Sequence, residues 1–572
     1  FDQRGTLYSK PGLDCPEFMD LMIATLDKDL SDEEDIRLSL DALRSCRERL
    51  TSEGINLSAF DSIENAADVE DLRQALGYEK INLYGVSYGS LLAQHVMRFF
   101  PDGLRSVILD AVVPPQVNFN LNAPRTMNRA FEEMFTACAQ DSDCNEAFPN
   151  LRDVFYQQVD RLNESPATIQ LTDFETGNSY KALMDGETFM SGVFQMLYAT
   201  EIIPFLPRVI YDARAGDYAF FSRIYSLFAF DRSLLYGMYY SVQCAEDADY
   251  SPEDYDLSGL PEQIREMEDY SAEFLLEACQ VWNVEPVPPV VDEPVVSDIP
   301  TLILSGRFDP ITPPAYGDLV AEGLSNSYTY VFADGGHGAA ASGECQDQII
   351  LDFLANPNTP PDAGCINAID GPEFITPGSL VRLPVLSKMM RLENGTGWQA
   401  LIYLLALMFL LSALFIYPLM WFIRLFRNKP PRPDSAYSSA GEFRVGEDLS
   451  STAGVSGTHR PGSSRISPWP AILSALVLLV FTAVLIGVVV SMAAANDIRI
   501  LLGLPGAARP LFGLPPIALG LTGWMVVAAV LGWVRRSGSL AGRLYFTFLT
   551  LAALVCVIIL AGWGMIAAIL MS

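Results

Sequence analysis

The stretch that decides the fold reads Asn82-Leu83-Tyr84-Gly85-Val86-Ser87-Tyr88-Gly89-Ser90. The apolar run over residues 80–86 predicts a short buried strand, and residues 91–100 predict a helix that stops before Pro101. Small residues two positions before and two positions after Ser87 suit a sharp, strained strand-to-helix turn. A serine at the tip of such a turn holds its hydroxyl clear of the sheet, and the helix N-terminus favours developing negative charge there. The stretch therefore predicts a nucleophilic serine at position 87, with an ordinary Gly/Ser turn as the alternative.

Strands and helices alternate on both sides of this turn. Residues 104–109 read as the next buried strand, and residues 301–306 and 328–332 read as two more. Residues 35–77 are largely helical in pattern, and residues 346–354 predict a closing helix. Such alternation is typical of an α/β domain with a parallel sheet.

Residues 118–290 differ in character from the segments around them. They read as helical, are rich in Phe, Tyr and Met, and show no pattern that we interpret as strand. A stiff linker leads back to the sheet and is marked by Pro286, Pro288, Pro289 and Pro294. An insertion between sheet strands usually covers the carboxyl edge of the sheet, where binding sites lie, so we expect a helical lid.

Charge divides the chain into two parts. The 572 residues carry a net charge of −32, but from residue 397 onward there are only five acidic and twelve basic residues. The front part is therefore strongly acidic, which argues against a nucleic-acid partner. An acidic surface could suit a cationic or free-amine substrate, although a solvated acidic surface is the commoner explanation.

Cysteine usage points to an oxidising compartment. Eight of the nine cysteines lie in the acidic front part, and none of their spacings resembles a zinc site. Pairing of neighbours along the chain is the arrangement we expect, with free buried thiols as the alternative. The expected pairs are Cys15–Cys46, Cys138–Cys144, Cys244–Cys279 and Cys345–Cys365.

The remainder of the chain has the composition of a membrane module. Apolar runs over residues 399–423, 469–494, 514–534 and 545–570 are each long enough to span a bilayer. Basic residues follow the first run and separate the third from the fourth, which places those loops in the cytoplasm and the front domain outside. Residues 428–468 read as a disordered cytoplasmic loop. No run carries an ionisable residue in its middle, so we expect a membrane anchor or a site for a membrane-protein partner.

A nucleophilic serine needs a base, and histidine is scarce in this chain. His459 falls in the predicted cytoplasmic loop, across the membrane from Ser87. His95 lies on the helix that follows Ser87, more than two turns away, and suits a structural role. His337 stands in a glycine-flanked loop directly after a predicted strand, and this makes it the expected base.

Three acids could orient that base. Asp309 follows a predicted sheet strand, Asp110 ends another, and Asp334 lies three residues before His337. Asp334 suits a turn former and Asp110 could cap the loop into the lid, so Asp309 is preferred. The resulting order of Ser87, Asp309 and His337 is the order of α/β-hydrolases.

Four motifs carry a resemblance to a known family. They are Asp2-Gln3-Arg4-Gly5-Thr6, residues 68–77 with 82–89, Asp309-Pro310-Ile311-Thr312-Pro313 and Gly336-His337-Gly338. Over about residues 1–370 the chain resembles the secreted tripeptidyl-aminopeptidase and prolyl-aminopeptidase branch of the α/β-hydrolase fold. The resemblance implies a serine exopeptidase acting on free peptide N-termini, with Ser87 as nucleophile, Asp309 as orienter and His337 as base.

The resemblance also implies a domain architecture, and two features of this chain depart from the family's pattern. We expect an α/β-hydrolase core in residues 1–117 and 291–396, a lid in 118–290 and four transmembrane helices in 397–572, a module that the soluble relatives lack. The family's glycine-rich oxyanion loop and its strands would precede Asp2, and the sequence opens on Phe1 without Met or signal peptide. We therefore expect missing N-terminal strands, and only the Tyr88 backbone N–H as an oxyanion donor.

An aminopeptidase must also hold the ammonium group of its substrate. The lid segment Cys244-Ala245-Glu246-Asp247 is similar to the family segment that provides this acid. Glu246 is the first candidate and Asp247 the second, with a solvated acidic turn as the alternative reading.

These observations predict a membrane-anchored extracytoplasmic serine aminopeptidase that works through an acyl-enzyme on Ser87. A peptide is the expected substrate, and neither a metal nor an organic cofactor is implied. An esterase or lipase with the same triad is one alternative. A catalytically silent ectodomain that serves as a membrane-anchored binding module is another.

Overall fold

A computed structural model describes residues 1–268, 271–341, 343–382, 396–427, 467–494, 499 and 503–566. The chain divides into two units, Phe1–Thr376 and Pro377–Ser572. The predicted disordered loop over residues 428–468 lies, apart from its last two residues, outside the described residues.

A parallel sheet of four strands organises the first unit. Its strands are β1 (Ile81–Val86), β2 (Leu104–Asp110), β5 (Thr301–Gly306) and β6 (Ser327–Phe332), in the spatial order β1-β2-β5-β6. Val86 lies opposite Asp110, and Asp110 lies opposite Leu304. The carboxyl ends of the strands therefore meet at one edge, where the loops bearing Ser87, Asp309 and His337 begin.

Helices cover both faces of this sheet, as the apolar strands require. One hydrophobic core contains Ile303 and three helices, α3 (Ser62–Ala75), α4 (Tyr88–Phe99) and α14 (Pro314–Ala321). A second hydrophobic core contains Leu302, Leu304 and the helix α15 (Glu344–Ala355). Successive side chains of a strand point to opposite faces, so a strand buried on both sides is apolar throughout. Two helices precede α3, namely α1 (Pro16–Thr25) and α2 (Asp32–Ser52).

The segment over residues 118–290, which we call the lid, is mainly helical. Its helices are α5 (Phe119–Gln140), α6 (Ser142–Ala147), α7 (Leu151–Glu164), α8 (Gly186–Met196), α9 (Leu206–Arg214), α10 (Ala219–Ala229), α11 (Tyr236–Glu246), α12 (Glu262–Glu268) and α13 (Ser271–Trp282). The expectation that it contains no strand was wrong, because β3 (Ala167–Thr172) and β4 (Ser179–Met184) form an antiparallel hairpin. Ile169 and Leu171 are buried on one side of β3 while their neighbours face outward, which is the alternation of a half-buried strand.

The disulfides confirm the expected pairing of neighbours. The bonds are Cys15–Cys46, Cys138–Cys144, Cys244–Cys279 and Cys345–Cys365. Among the described residues Cys556 is the free cysteine, and it is buried in the second unit. Four disulfides in one domain are typical of proteins that fold outside the cytosol.

The second unit is built from long apolar helices. They are α16 (Thr396–Leu411), α17 (Ala413–Arg427), α18 (Trp469–Ala494), α19 (Leu514–Val534) and α20 (Leu540–Gly562), and a short antiparallel pair joins β7 (Leu380–Arg382) to β8 (Gly503–Pro505). By length and composition four segments could cross a membrane, namely Gly397–Ile423, Trp469–Ala494, Gly506–Val534 and Leu540–Gly562. Many apolar side chains face outward from this unit, as Val534 does at 74% exposure.

Candidate active site

The turn between β1 and α4 holds Ser87 in a strained conformation. Its backbone has φ 55° and ψ −126°, a region that residues other than glycine rarely occupy. The Ser87 N–H donates to the Asp110 carbonyl oxygen at 3.0 Å. Gly85 is required, since a Cβ there would lie 2.1 Å from the Gly89 carbonyl oxygen. Gly89 itself has open space where a Cβ would be, so the expectation that both glycines are sterically required holds only for Gly85.

Ser87 opens into a cavity of about 340 Å³ between the sheet edge and the lid. The walls are largely apolar, and much of the lining comes from lid helix α11 and the loop before it: Leu234, Leu235, Met238, Tyr239 and Val242. Gln3 and Thr6 also line it, because Arg4 between them is fixed to α3 by a 2.6 Å ion pair with Asp68. The motif over residues 2–6, the first of the four that carry the family resemblance, thus forms part of the cavity wall.

His337 follows β6 and is held by the lid. Its N–H donates to the Tyr198 carbonyl oxygen at 2.9 Å, and the Tyr198 ring lies 4.9 Å from the imidazole. The preceding Gly336 N–H donates to Thr200 Oγ1 at 2.9 Å. A Cβ at Gly336 would come within 2.6 Å of the Leu197 carbonyl oxygen, so glycine allows this close contact.

Asp309 fixes the orientation of that imidazole. Its Oδ2 lies 2.9 Å from His337 Nδ1, and the carboxylate is 0% exposed. Oδ1 accepts the N–H groups of Ile311 at 3.0 Å and Thr312 at 2.8 Å, and Oδ2 accepts the Thr312 hydroxyl at 2.7 Å. A carboxylate only accepts, so Nδ1 carries the proton and Nε2 is the basic nitrogen. Ser87 Oγ has no hydrogen-bond partner within the described ranges.

The described rival residues make contacts other than the His337–Asp309 pair. The Asp110 carboxylate accepts backbone amides, and Asp334 makes no hydrogen bond to His337. His95 is fully buried beside Phe99, and burial lowers its pKa to about 4. His459 lies outside the described residues.

Tyr88 has a backbone N–H next to Ser87 in the chain. It is the first residue of α4, and the first N–H groups of a helix have no partner within the helix. Its amide therefore stands free beside Ser87 at the positive end of the helix dipole.

The two lid acids occupy different surroundings. Glu246 is 7% exposed and accepts the Ser62 N–H at 2.6 Å and the Ser62 hydroxyl at 2.8 Å. It is not among the residues lining the cavity, whereas Asp247 is. Burial raises the pKa of Glu246 to about 8 and that of Asp247 to about 7. The first candidate for the substrate amine is thus turned toward Ser62, and the second lies on the cavity wall.

Three residues that sequence reasoning did not single out also shape the site. Thr312 supports the Asp309 carboxylate, Tyr198 packs on His337, and Arg129 of α5 donates to the main-chain oxygens of Arg307 and Asp309. A threonine three residues after an acid is a common turn pattern and could have been found in the sequence. Nothing local in the sequence distinguishes Tyr198 or Arg129.

Comparisons with known proteins agree with this fold. A family described as "alpha/beta hydrolase fold" matches residues 1–125, and one described as "TAP-like protein" matches residues 266–365. A solved structure, the putative non-heme bromoperoxidase BpoC from Mycobacterium tuberculosis, is 17% identical with a TM-score of 0.23 and covers 54% of this chain and 78% of its own.

Two relatives are named as peptidases. The serine protease Hip1 of Mycobacterium tuberculosis is 24% identical over 388 residues, which is 63% of this chain and 72% of that protein. The tripeptidyl aminopeptidase of Streptomyces lividans is 33% identical over 120 residues, which is 20% of this chain and 22% of that protein.

Proposed function

We propose that this α/β hydrolase, a serine hydrolase related to Hip1 and to tripeptidyl aminopeptidases, is a membrane-anchored extracytoplasmic aminopeptidase. It releases short peptides or single residues from free peptide N-termini. The observation that carries the proposal is the 2.9 Å pair between His337 and Asp309, at the same sheet edge as the strained Ser87. A nucleophile, a base and an orienting acid then follow strand ends at one edge of the sheet, and the nucleophile lines the cavity.

The chemistry follows from the roles of these groups. His337 Nε2 takes the proton of Ser87 Oγ as the oxygen attacks the scissile carbonyl carbon. The oxyanion that forms accepts the Tyr88 N–H, and Asp309 stabilises the imidazolium. His337 then returns the proton to the leaving amine, and water attacks the acyl-enzyme on Ser87 by the same route in reverse.

The N-terminal ammonium group of the substrate would bind to the Asp247 carboxylate. This acid lies on the wall of the cavity that contains Ser87, and the rest of the wall is largely apolar. The ammonium group of a bound peptide would therefore meet one carboxylate, and the apolar part of the lining would contact apolar side chains of the substrate. The Gln243 amide, which donates to Asp247 Oδ2 at 3.1 Å, holds the carboxylate in place.

Asp247→Asn is expected to weaken binding of free-amine substrates. A hydrogen bond to a charged group contributes about 1.5–3 kcal/mol, so KM for a tripeptide anilide should rise roughly 10- to 100-fold while kcat changes little. An acid with a raised pKa is charged only above that pKa, and burial raises the pKa of Asp247 to about 7. KM of the parent enzyme should thus fall as the pH rises from 5 to 7, and the variant should lose this dependence.

Glu246→Gln is the matched control, because it changes the neighbouring acid that faces Ser62 and not the cavity. It should leave KM close to that of the parent enzyme. An unchanged KM in Asp247→Asn, or an equal rise in both variants, would remove Asp247 from the proposed role.

The proposed membrane topology rests on charge and on the disulfides. Arg427 ends α17, and Arg535 and Arg536 directly follow α19, so both helices that would run inward end in cations. Positive charge at these ends favours the cytoplasmic side for them. The first unit precedes the first span and holds four disulfides, which suits the opposite side.

Labelling of introduced cysteines in intact cells tests this topology. Ser45→Cys, on the exposed face of α2, should react with a membrane-impermeant maleimide. Arg536→Cys should react only after the membrane is permeabilised, and the parent protein supplies the background. The reverse pattern would place the first unit in the cytoplasm.

A further inference from the structure

A second buried carboxylate links the two halves of the candidate site. Asp110, at the end of β2, is 0% exposed. Its Oδ1 accepts the Ala339 N–H at 2.9 Å, and its Oδ2 accepts the Ala340 N–H at 2.9 Å and the Tyr84 hydroxyl at 3.0 Å. Both amides belong to the turn that directly follows His337 and Gly338.

The main chain of the same residue holds the nucleophile. Its carbonyl oxygen accepts the Ser87 N–H at 3.0 Å, and its pairing in the sheet sets it opposite both Val86 and Leu304. One residue therefore binds the strained serine through its backbone and the histidine loop through its side chain. The covalent geometry of a single aspartate fixes the spacing between those two loops.

The surroundings of Asp110 differ from those of a buried acid that only supports the fold. Asp173, which is equally buried, is neutralised by Arg232 at 2.7 Å. Within the described ranges no arginine or lysine pairs with Asp110. Burial raises its pKa, and the Ala340 amide, Tyr84, the Ala339 amide and the nearby His337 oppose the rise. Among the described residues Asp110 is thus held by the histidine loop and Tyr84 and by no arginine or lysine.

We propose that Asp110 is a positioning residue, which holds His337 in register with Ser87. The inference rests on the proposed serine hydrolase function and adds a fourth residue to its machinery. Asp110 touches neither substrate nor the reacting atoms, so it acts only through the two loops that it joins.

Asp110→Asn tests this role with the full-length protein in detergent. Asparagine keeps one acceptor oxygen but turns an NH₂ group toward one of the two amides, so the histidine loop should shift. A displacement of about 1 Å can lower the rate about 100-fold, and we expect that loss in kcat with KM within about twofold of the parent. The rate at which a fluorophosphonate labels Ser87 should fall by a similar factor. Asp173→Asn, a buried acid away from the site, is the control and should leave kcat unchanged.

A double-mutant cycle of Asp110→Asn and His337→Ala separates a positioning role from general damage to the fold. If Asp110 acts through His337, Asp110→Asn should cost little further activity in the His337→Ala background. An equal fold-loss in both backgrounds, or an unchanged kcat in folded Asp110→Asn, would overturn the proposal. If Asp110→Asn does not fold, Tyr84→Phe decides, since a severalfold fall in kcat at constant KM supports the role and an unchanged kcat rejects it.

Failure of this inference can be told apart from failure of the proposed function. Fluorophosphonate labelling reports on Ser87 and His337 whatever the natural substrate is. Unaltered labelling in Asp110→Asn would reject the positioning role alone. Normal labelling of the parent without cleavage of free-amine peptides would reject the aminopeptidase assignment alone.

Discussion

Replacing Ser87 with alanine is expected to lower kcat by about 10⁵- to 10⁶-fold, the scale of loss when a catalytic serine is removed. No acyl-enzyme can form without Oγ, and the remaining groups can only bind substrate and polarise its carbonyl. Folding should not suffer, because the Ser87 side chain has no hydrogen-bond partner among the described residues. Its N–H bond to Asp110 is made by the main chain and persists.

Hydrolysis of a peptide anilide and labelling by a fluorophosphonate measure this loss. Ser45→Ala, which changes an exposed serine of α2, is the matched control and should retain the activity of the parent. Substantial activity or labelling in Ser87→Ala would mean that another residue is the nucleophile.

Asp309→Asn is expected to lower kcat by about 10⁴-fold, the loss found when the orienting acid of a triad becomes an amide. The carboxylate holds the proton on His337 Nδ1, and this leaves Nε2 free to accept the proton of Ser87. An amide that turns its NH₂ group toward Nδ1 stabilises the wrong tautomer. The amides of Ile311 and Thr312 can still donate to the remaining side-chain oxygen and keep the side chain in place, so geometry changes less than charge.

Asp334→Asn is the matched control for this prediction. Asp334 is also close in sequence to His337 but makes no hydrogen bond to it, so kcat should change by less than a few-fold. A larger loss in Asp334→Asn than in Asp309→Asn would transfer the orienting role to Asp334.

The strands and the turn at Ser87 could be predicted because local pattern and final burial agree there. Strand β5 is buried on both faces and is therefore apolar throughout, and its observed bounds, Thr301–Gly306, are those of the predicted strand. The helix after Ser87 begins at Tyr88 and ends at Phe99, next to Pro101 as the sequence indicated. The neighbouring cysteine pairs were also predictable, since short loops favour their closure.

The hairpin in the lid was missed because it lies among helices and only one of its sides is buried. The apolar positions of β3 that reveal it are only Ile169 and Leu171, too few to outweigh the helical pattern on both sides. A short period-two pattern is easily lost in such surroundings.

The roles of the acids depend on three-dimensional placement that sequence does not give. Glu246 and Asp247 are neighbours at the end of α11, where one residue rotates the direction of a side chain by about 100°. The sequence offers no means of deciding which of them faces the cavity. Asp110 was considered only as an alternative to Asp309, and its link between two loops appears only when β1, β2 and β6 are assembled.

Hydrolysis of a matched pair of tripeptide anilides, one with a free N-terminus and one acetylated, tests the central claim most directly. The protein should be the full-length chain in detergent, with Ser87→Ala as the blank. We predict cleavage of the free peptide alone, and its loss in the variant. Equal cleavage of both peptides would contradict the requirement for a free amine, and cleavage of simple esters alone would indicate an esterase. A folded parent protein that cleaves none of these substrates would contradict the enzymatic account and favour a membrane-anchored binding module.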